Sequence, residues 1–264
     1  MISSVSNERV KNVILLQKKA RARREQDCFV VEGVRMAGEV ETDRLLEAFV
    51  SESFLGRPEN ESLCARLHAE VVSERVMAAM SDTQTPQGII AVVRRREADP
   101  AKMVSGPAPL ILMLERLQDP GNLGTILRTG EGAGVTGVLM SEDTVDIYNP
   151  KVIRSTMGSI YRVPFAYVPD LRQTARELKE RGVCLYAAHL AGENSYDQEN
   201  YRGATAFMIG NEGAGLSDEL TGLADRLIRI PMEGQVESLN AAVSAAILMY
   251  EAGRQRRKKN GRTG

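Results

Sequence analysis

The residues best suited to chemistry fall in three loops. Each follows an apolar run that reads as a strand and precedes a stretch that reads as a helix. The first is Glu115-Arg-Leu-Gln-Asp-Pro-Gly-Asn-Leu-Gly-Thr-Ile-Leu-Arg128, the second Ile209-Gly-Asn-Glu-Gly-Ala-Gly-Leu216, and the third Ile230-Pro-Met-Glu-Gly-Gln-Val-Glu-Ser-Leu-Asn240. In an open α/β sheet, ligands bind beyond the carboxyl ends of the strands. Loops rich in Gly and Asn expose backbone N–H groups and a few fixed polar side chains there. That suits a polar small molecule held largely by main chain, with help from the partial positive charge of helix starts. In any single loop, Gly, Asn and Pro can be present merely to turn; three such loops together shift the balance toward a site.

A fourth glycine cluster, Gly132-Ala-Gly134-Val-Thr-Gly137, matches G-x-G-x-x-G and invites a nicotinamide-dependent oxidoreductase. That fingerprint needs a strand before it and a helix after it. Here a helical stretch, 123–131, precedes and a strand, 138–140, follows, so the glycines end a helix and turn into a strand. A G-x-x-x-x-G-K-[ST] phosphate loop does not occur. The three cysteines, Cys28, Cys64 and Cys184, and the two histidines, His68 and His189, have no zinc-site spacing, so no metal is expected. His189 reads as a satisfied core or loop histidine, with a place facing the cleft as the alternative.

In this order and spacing, the three loops resemble the motifs of the SpoU (TrmH) family of RNA ribose 2'-O-methyltransferases, in the SPOUT superfamily. The first motif is Asn122-x-Gly124-x-x-x-Arg128, the second GNEGAGL from Gly210, and the third IPMEGQVESLNAAVSAAILMYE from Ile230. The resemblance fills the chain from about residue 108. The N-terminal part, including FVVEGVRMAGEV at 29–40, looks like the small L30e-like RNA-substrate-binding domain often attached to this family, on a looser signal.

The resemblance implies S-adenosylmethionine as methyl donor, a C-terminal trefoil knot, and a homodimer with the knot at its interface and the active site completed across it. By position, it places cofactor contacts on Gly210, Ile230 and Leu239 through their main chain, with Met232 beside the adenine pocket. It carries over Asn122, Arg128, Glu212, Ser238 and Asn240 as catalytic or substrate-orienting. The family's Arg is often assigned as the base, but a guanidinium is a poor base at neutral pH. Arg128 is better read as a bidentate clamp on the target phosphate that orients and acidifies the adjacent 2'-hydroxyl. Glu212 is an alternative base, an orienting group, or simply a helix-start charge. Asn122 and Asn240 can orient or cap, and Ser238 can be an ordinary N-cap.

The elements that must position these loops read as a two-part α/β chain. Strand-like runs at 28–31, 49–51, 71–72 and 89–93 alternate with helical stretches and predict a small N-terminal α/β domain, 1–97. Residues 98–109, with three prolines and a glycine, read as a linker. Over 110–264, runs at 110–115, 137–140, 165–168, 183–190, 204–210 and 227–231 are continuously apolar rather than alternating. They predict a parallel sheet with helices on both faces. Periodicity alone gives an unknotted doubly wound sheet, so the knot rests on the resemblance.

Composition narrows the partners. With 264 residues, 43% hydrophobic and 26% charged, the chain has ordinary globular proportions, which excludes wholesale disorder, a collagen-like repeat and a disulfide scaffold. The formal net charge of −1 hides a division. Residues 9–24 hold Arg9, Lys11, Lys18, Lys19, Arg21, Arg23 and Arg24, and residues 254–264 hold six more basic residues; neither segment has an acid, and the remainder carries a net −14. The basic ends are either RNA-phosphate contacts or solvated faces; with the resemblance, the N-terminal seven become RNA-binding candidates. Ribosomal RNA is preferred to transfer RNA as substrate, and a non-catalytic RNA-binding ribosome-assembly factor is the rival. No signal peptide or membrane span is expected, and a cytoplasmic setting follows.

Overall fold

The computed structural model describes residues 1–259, with side chains to Arg257. The chain begins with α1 (Glu8–Lys18), α2 (Ala20–Glu25), β1 (Cys28–Glu32), α3 (Val34–Gly38), β2 (Leu45–Ser51), α4 (Glu52–Leu55), α5 (Glu61–Arg66), β3 (Glu70–Val72), α6 (Glu74–Met80) and β4 (Ile89–Arg94). It continues through α7 (Pro100–Met103), β5 (Leu110–Leu114), α8 (Pro120–Ala133), β6 (Gly137–Ser141), α9 (Pro150–Thr156), β7 (Phe165–Val168), α10 (Leu171–Glu180) and β8 (Cys184–Ala188). Last come β9 (Asn194–Ser195), β10 (Thr205–Ile209), α11 (Asp218–Thr221), β11 (Arg226–Arg229) and α12 (Ala241–Lys259).

These elements form two compact units. The first comprises Met1–Arg96 with Asp146–Tyr161, the second Glu97–Val145 with Arg162–Gly264. In the first unit a mixed sheet has the order β1-β4-β2-β3, with β4 antiparallel to β1 and β2, and β3 parallel to β2. The basic stretch at its start is an amphipathic helix. Val10, Val13 and Leu16 recur at helical spacing on the buried side of α1 and join Val30, Phe49, Val76, Met77 and Val92 in one core. Asn7 caps α1 by accepting the Arg9 N–H.

The segment 146–161, sequence-adjacent to the second unit, belongs to the first. The Tyr148 ring packs 4.6 Å from Phe29, and its hydroxyl donates to Arg96 O at 2.5 Å and accepts the Arg96 N–H at 2.8 Å. Val152, Ile153 and Ile160 are buried, and Tyr161 Oη donates to Met36 O at 3.1 Å. A cut at residue 97 therefore leaves part of the first unit in the C-terminal stretch. The stretch 98–109, read from sequence as a linker, carries α7. Met103 is 2% exposed and lies so close to Gly137 that a Cβ there would meet the Met103 side chain at 2.5 Å.

In the second unit, seven strands form an all-parallel sheet of order β7-β6-β5-β10-β8-β11-β9. Alternate residues on β5, β6, β7, β8 and β10, among them Met113, Leu139, Ala166, Ala187 and Met208, pack with Leu171, Ala175 and Leu178 of α10. The residues between them, such as Leu112, Met140 and Phe207, are equally buried and face the other way, where α12 lies on β10 and against α8. Burial on both faces explains the continuous apolar runs. The decoy glycines behave as their order in the chain requires: α8 ends at Ala133, Gly134 closes it at φ 82°, and β6 begins at Gly137. The two-residue β9 has too little pattern to be read from sequence.

Candidate active site

The three loops converge at the carboxyl ends of the parallel strands, as the topology demands. There the ends of β8, β10 and β11 and the start of α12 enclose a cleft of about 580 Å³. Gly210, Glu212, Ile230, Met232, Ser238, Leu239 and Asn240, all selected from sequence, line it.

The second loop is shaped by close backbone crossing. Asn211 and Gly215 exchange backbone hydrogen bonds of 3.0 and 2.9 Å, folding the loop back over Gly210. A Cβ on Gly210 would lie 2.1 Å from Gly215 C and 2.2 Å from Leu216 N, so only glycine fits. The Asn211 side chain braces the turn from within. Its Oδ1 accepts the Gly213 and Ala214 N–H groups at 2.9 and 3.0 Å, and its Nδ2 donates to Arg116 O at 2.8 Å. Asn211 was not singled out from sequence; an Asn two residues after a strand and ahead of two loop glycines is the available signal.

A directed chain of side-chain hydrogen bonds ties the loops together. Asn240 Oδ1 accepts the Ala242 and Val243 N–H groups at 2.9 and 3.2 Å, capping α12. Asn240 is thus the cap, and Ser238 sits exposed on the cleft wall two residues earlier. With its oxygen engaged, Asn240 presents Nδ2, which donates to Asn122 Oδ1 at 2.8 Å. Asn122, 8% exposed in the first turn of α8, passes the direction on, donating through Nδ2 to Glu212 Oε1 at 3.0 Å. Glu212 also accepts the Asp119 N–H at 2.9 Å and the Gln118 N–H at 3.1 Å.

Desolvation pulls the Glu212 carboxyl upward, but the hydrogen bonds from Asn122, Asp119 and Gln118 outweigh it and hold the group below the ordinary carboxylate range. A carboxylate with three donors on its oxygens is arranged as an anionic orienting group, and its lowered pKa makes it a weaker proton acceptor. Arg128 stands apart: it is exposed on α8 and is not part of this cleft wall. His189 does line the cleft, with Nδ1 accepting the Ala191 N–H at 3.1 Å. Both sequence readings of it therefore hold at once.

The seven basic candidates on α1 and α2 divide sharply. Lys11, Lys18, Lys19 and Arg24 are exposed and make no ion pair among the described residues. Arg21 is exposed and pairs with Glu25 at 2.7 Å. Arg9 bonds Glu47 at 2.8 Å and also Glu70, and lies 5.0 Å over the Phe49 ring. Arg23 must be withdrawn as an RNA contact: it is 3% exposed and donates to Asp146 Oδ2 and to Leu16 O and Gln17 O. At the other end, Arg254 pairs with Glu251, while Arg256 donates to the carbonyls of Tyr201, Ala108, Pro109 and Gly203. Arg256 is thus part of the fold, while Arg254 keeps a side chain 47% exposed. The side chains of Lys258 and Lys259, and Arg262, lie outside the described residues.

Comparison with known proteins accords with this geometry. A model of the SpoU rRNA Methylase family matches residues 109–250, and an MRM3-like substrate binding domain matches residues 7–91. The chain is 33% identical over 252 residues to the 23S rRNA (guanosine(2553)-2'-O)-methyltransferase RlmP of Bacillus subtilis, covering 94% of this chain and 97% of that one. Among solved structures, the AdoMet-bound rRNA methyltransferase from Sinorhizobium meliloti superposes with a TM-score of 0.86 at 29% identity, covering 96% and 97% of the two chains. The SpoU methyltransferase AviRb from Streptomyces viridochromogenes gives 0.85 at 27% identity, covering 98% and 100%.

Proposed function

The chain belongs to the SpoU rRNA methylase family, and on that premise we propose that it transfers a methyl group from S-adenosylmethionine to a ribose 2'-hydroxyl of RNA, ribosomal RNA before transfer RNA. The observation that carries this is the Asn240–Asn122–Glu212 chain beside a strand-end cleft lined by backbone loops and apolar side chains. The relatives' printed substrates, among them 23S ribosomal RNA, set the preference for that RNA.

The cleft fits the cofactor on its own chemistry. Its size suits a nucleoside-sized ligand, Ile230, Met232 and Leu239 offer an apolar wall, and the Gly210 loop offers main-chain polar groups. S-adenosylmethionine supplies a methyl carbon made electrophilic by an adjacent sulfonium charge. The protein's part is placement and fixed charge. The ionised Glu212 presents negative charge to a cationic ligand, and the Asn chain fixes the orientation of that carboxylate. Arg128 clamps the phosphate next to the target ribose and so lowers the cost of removing the hydroxyl proton.

An Arg128 outside its own cleft fits a site completed by a second copy of the chain, with the knotted region of the family at the interface. Exposed Val243 and Tyr250 on α12 support such a face. The exposed cations Lys11, Lys18, Lys19 and Arg24 are the RNA contacts of this reading. No helix among the described residues is long and apolar enough to cross a membrane; a cytoplasmic setting accords with three unpaired cysteines.

The test is methyl transfer to ribosomal RNA, with S-adenosylmethionine affinity measured beside it. Arg128→Ala abolishes transfer and leaves cofactor affinity within a few-fold of wild type. Failure of the wild type to bind S-adenosylmethionine favours the non-catalytic RNA-binding factor, and transfer confined to transfer RNA overturns the ribosomal preference.

A further inference from the structure

Asn211 braces the start of the Gly210–Leu216 loop, and the far end has its own anchor. Glu115, the residue directly after β5, grips Ser217 with both carboxylate oxygens. Oε2 accepts the Ser217 N–H at 2.7 Å, and Oε1 accepts its hydroxyl at 2.7 Å. Ser217 Oγ in turn accepts the Leu220 N–H at 3.3 Å, so the same side chain starts α11. The Glu115 side chain is 14% exposed, and its N–H donates to Ile209 O at 2.9 Å, which fixes it to the strand that feeds the loop. The next residue, Arg116, is held at φ 53°, a conformation that costs a non-glycine residue free energy. Its N–H is held by Ser141 Oγ at 2.9 Å, and its carbonyl receives the Asn211 amide. The turn after β5 thus grips the loop at two places, 211 and 217, while Gly213, Ala214 and Gly215 between them are exposed and are held through Asn211, the first two by its side-chain oxygen and Gly215 by its backbone.

A carboxylate 14% exposed, with both oxygens on Ser217 and the Arg116 guanidinium 3.7 Å from Oε2, is fully engaged within the fold; its effect is to close the loop. We propose that Glu115 is a positioning residue for the cofactor, acting through Ser217 to preset the Gly210–Leu216 loop before ligand enters. This rests on the cofactor reading above. A loop already fixed loses little conformational freedom on binding, so the ligand's contacts appear as affinity. Without the grip, the loop keeps its Asn211 bonds but loses the anchor at Ser217, so the cofactor itself must order the far end, and affinity falls while chemistry at saturation is kept.

The experiment uses the full chain with Glu115→Ala, Glu115→Gln and Ser217→Ala. Calorimetric titration with S-adenosylmethionine, RNA binding, melting temperature and the cofactor KM against kcat are measured. Glu115→Ala weakens cofactor binding roughly 10- to 100-fold, the loss of hydrogen bonds to a charged group. RNA affinity is unchanged, and kcat at saturating cofactor stays within about 3-fold. Glu115→Gln, which keeps one acceptor, restores part of the affinity, and Ser217→Ala falls between. Wild-type affinity in both Glu115→Ala and Ser217→Ala overturns the proposal. So does a parallel fall of RNA affinity and melting temperature, which marks a purely structural role, or a fall in kcat at unchanged KM. If Glu115→Ala does not fold, the milder Ser217→Ala decides. A wild type that binds no S-adenosylmethionine overturns the cofactor reading instead.

Discussion

Removing Arg23 tests whether the basic N-terminal stretch is one surface or two kinds of residue. Its guanidinium is 4% exposed and gives Nε and Nη2 to Asp146 Oδ2 at 2.9 and 2.7 Å. Nη1 goes to Leu16 O at 2.6 Å and Gln17 O at 3.2 Å, two carbonyls in the last turn of α1. Truncation leaves a carboxylate and two carbonyls without this partner. Breaking a buried ion pair by removing one member costs about 3–5 kcal/mol. The Asp146 side chain is 20% exposed and regains some water, which puts Arg23→Ala at about 3 kcal/mol, the lower end. In a unit of this size that lowers its melting temperature by roughly 10 °C or more. Because the chain has two units, a single transition cannot be assumed, and the first unit is followed by hydrogen exchange at β1 and β4 amides alongside calorimetry. Lys19→Ala, at an exposed site, changes stability by less than about 0.5 kcal/mol and instead weakens RNA binding. Replacing both partners, Arg23→Met with Asp146→Leu, recovers the part of the loss due to the stranded carboxylate but not the part due to the Leu16 and Gln17 carbonyls, so the double variant falls between Arg23→Ala and wild type. An Arg23→Ala protein as stable as wild type but deficient in RNA binding would refute the assignment.

Further expectations concern the site and the C-terminal helix. Glu212 is held below the usual carboxylate range, so the stability its ionised form confers on the loops is complete above the unfolded value, about 4.3, and is lost as pH falls through the lower folded value. Cofactor affinity measured from pH 8 to 5 is therefore flat with respect to this group, and Glu212→Gln, which removes the negative charge offered to the cationic ligand, lowers affinity by the same factor across that range; a Glu212-dependent midpoint near 6 would contradict it. Gly210→Ala forces a methyl group to 2.1 Å from Gly215 C, and its S-adenosylmethionine titration shows lost binding with the melting transition of the first unit unchanged. Ending the chain after Gly253 removes the Arg256 bonds to Tyr201, Ala108, Pro109 and Gly203 and lowers the melting temperature of the second unit. Ending it after Arg257 keeps those bonds and flattens only the salt dependence of RNA binding; equal melting temperatures for the two truncations would show that Arg256 anchors nothing.

Much of the site was legible because its chemistry is local in sequence. Gly210, Ile230, Leu239 and Asn240 lie within motifs whose strand–loop–helix order fixes where they emerge. The parallel sheet was legible for the same reason: strands buried on both faces have runs such as LILML at 110–114 and TAFMI at 205–209. What stayed hidden was long-range. Nothing in the spacing of 9–24 shows that Arg23 meets Asp146 across more than a hundred residues, or that Arg9 is taken up by Glu47 and Glu70. A positive charge looks the same in sequence whether it faces solvent or a carboxylate. Glu115 was quoted only as the first letter of a loop, because a strand-end carboxylate has no signature until its serine, Ser217, is seen beside it. The short α7 was lost among prolines, although Pro100 directly after the cap Asp99 is itself a helix-start signal.

The return of 146–161 to the first unit bears on the order in which the protein can be made. During synthesis, residues 1–96 emerge first, yet the ring that packs on Phe29 and bonds both backbone groups of Arg96 is Tyr148, and the carboxylate that meets buried Arg23 is Asp146. At about 5–20 residues per second, the stretch from 97 to 161 takes roughly 3–13 s to appear. For that interval the nascent N-terminal part has an uncovered aromatic site and an unmatched internal cation. A fragment ending at 96 is frozen in that interval, whereas supplying 146–161 as a separate peptide offers the missing surface. Grafting this unit onto another methyltransferase body likewise requires two segments rather than one.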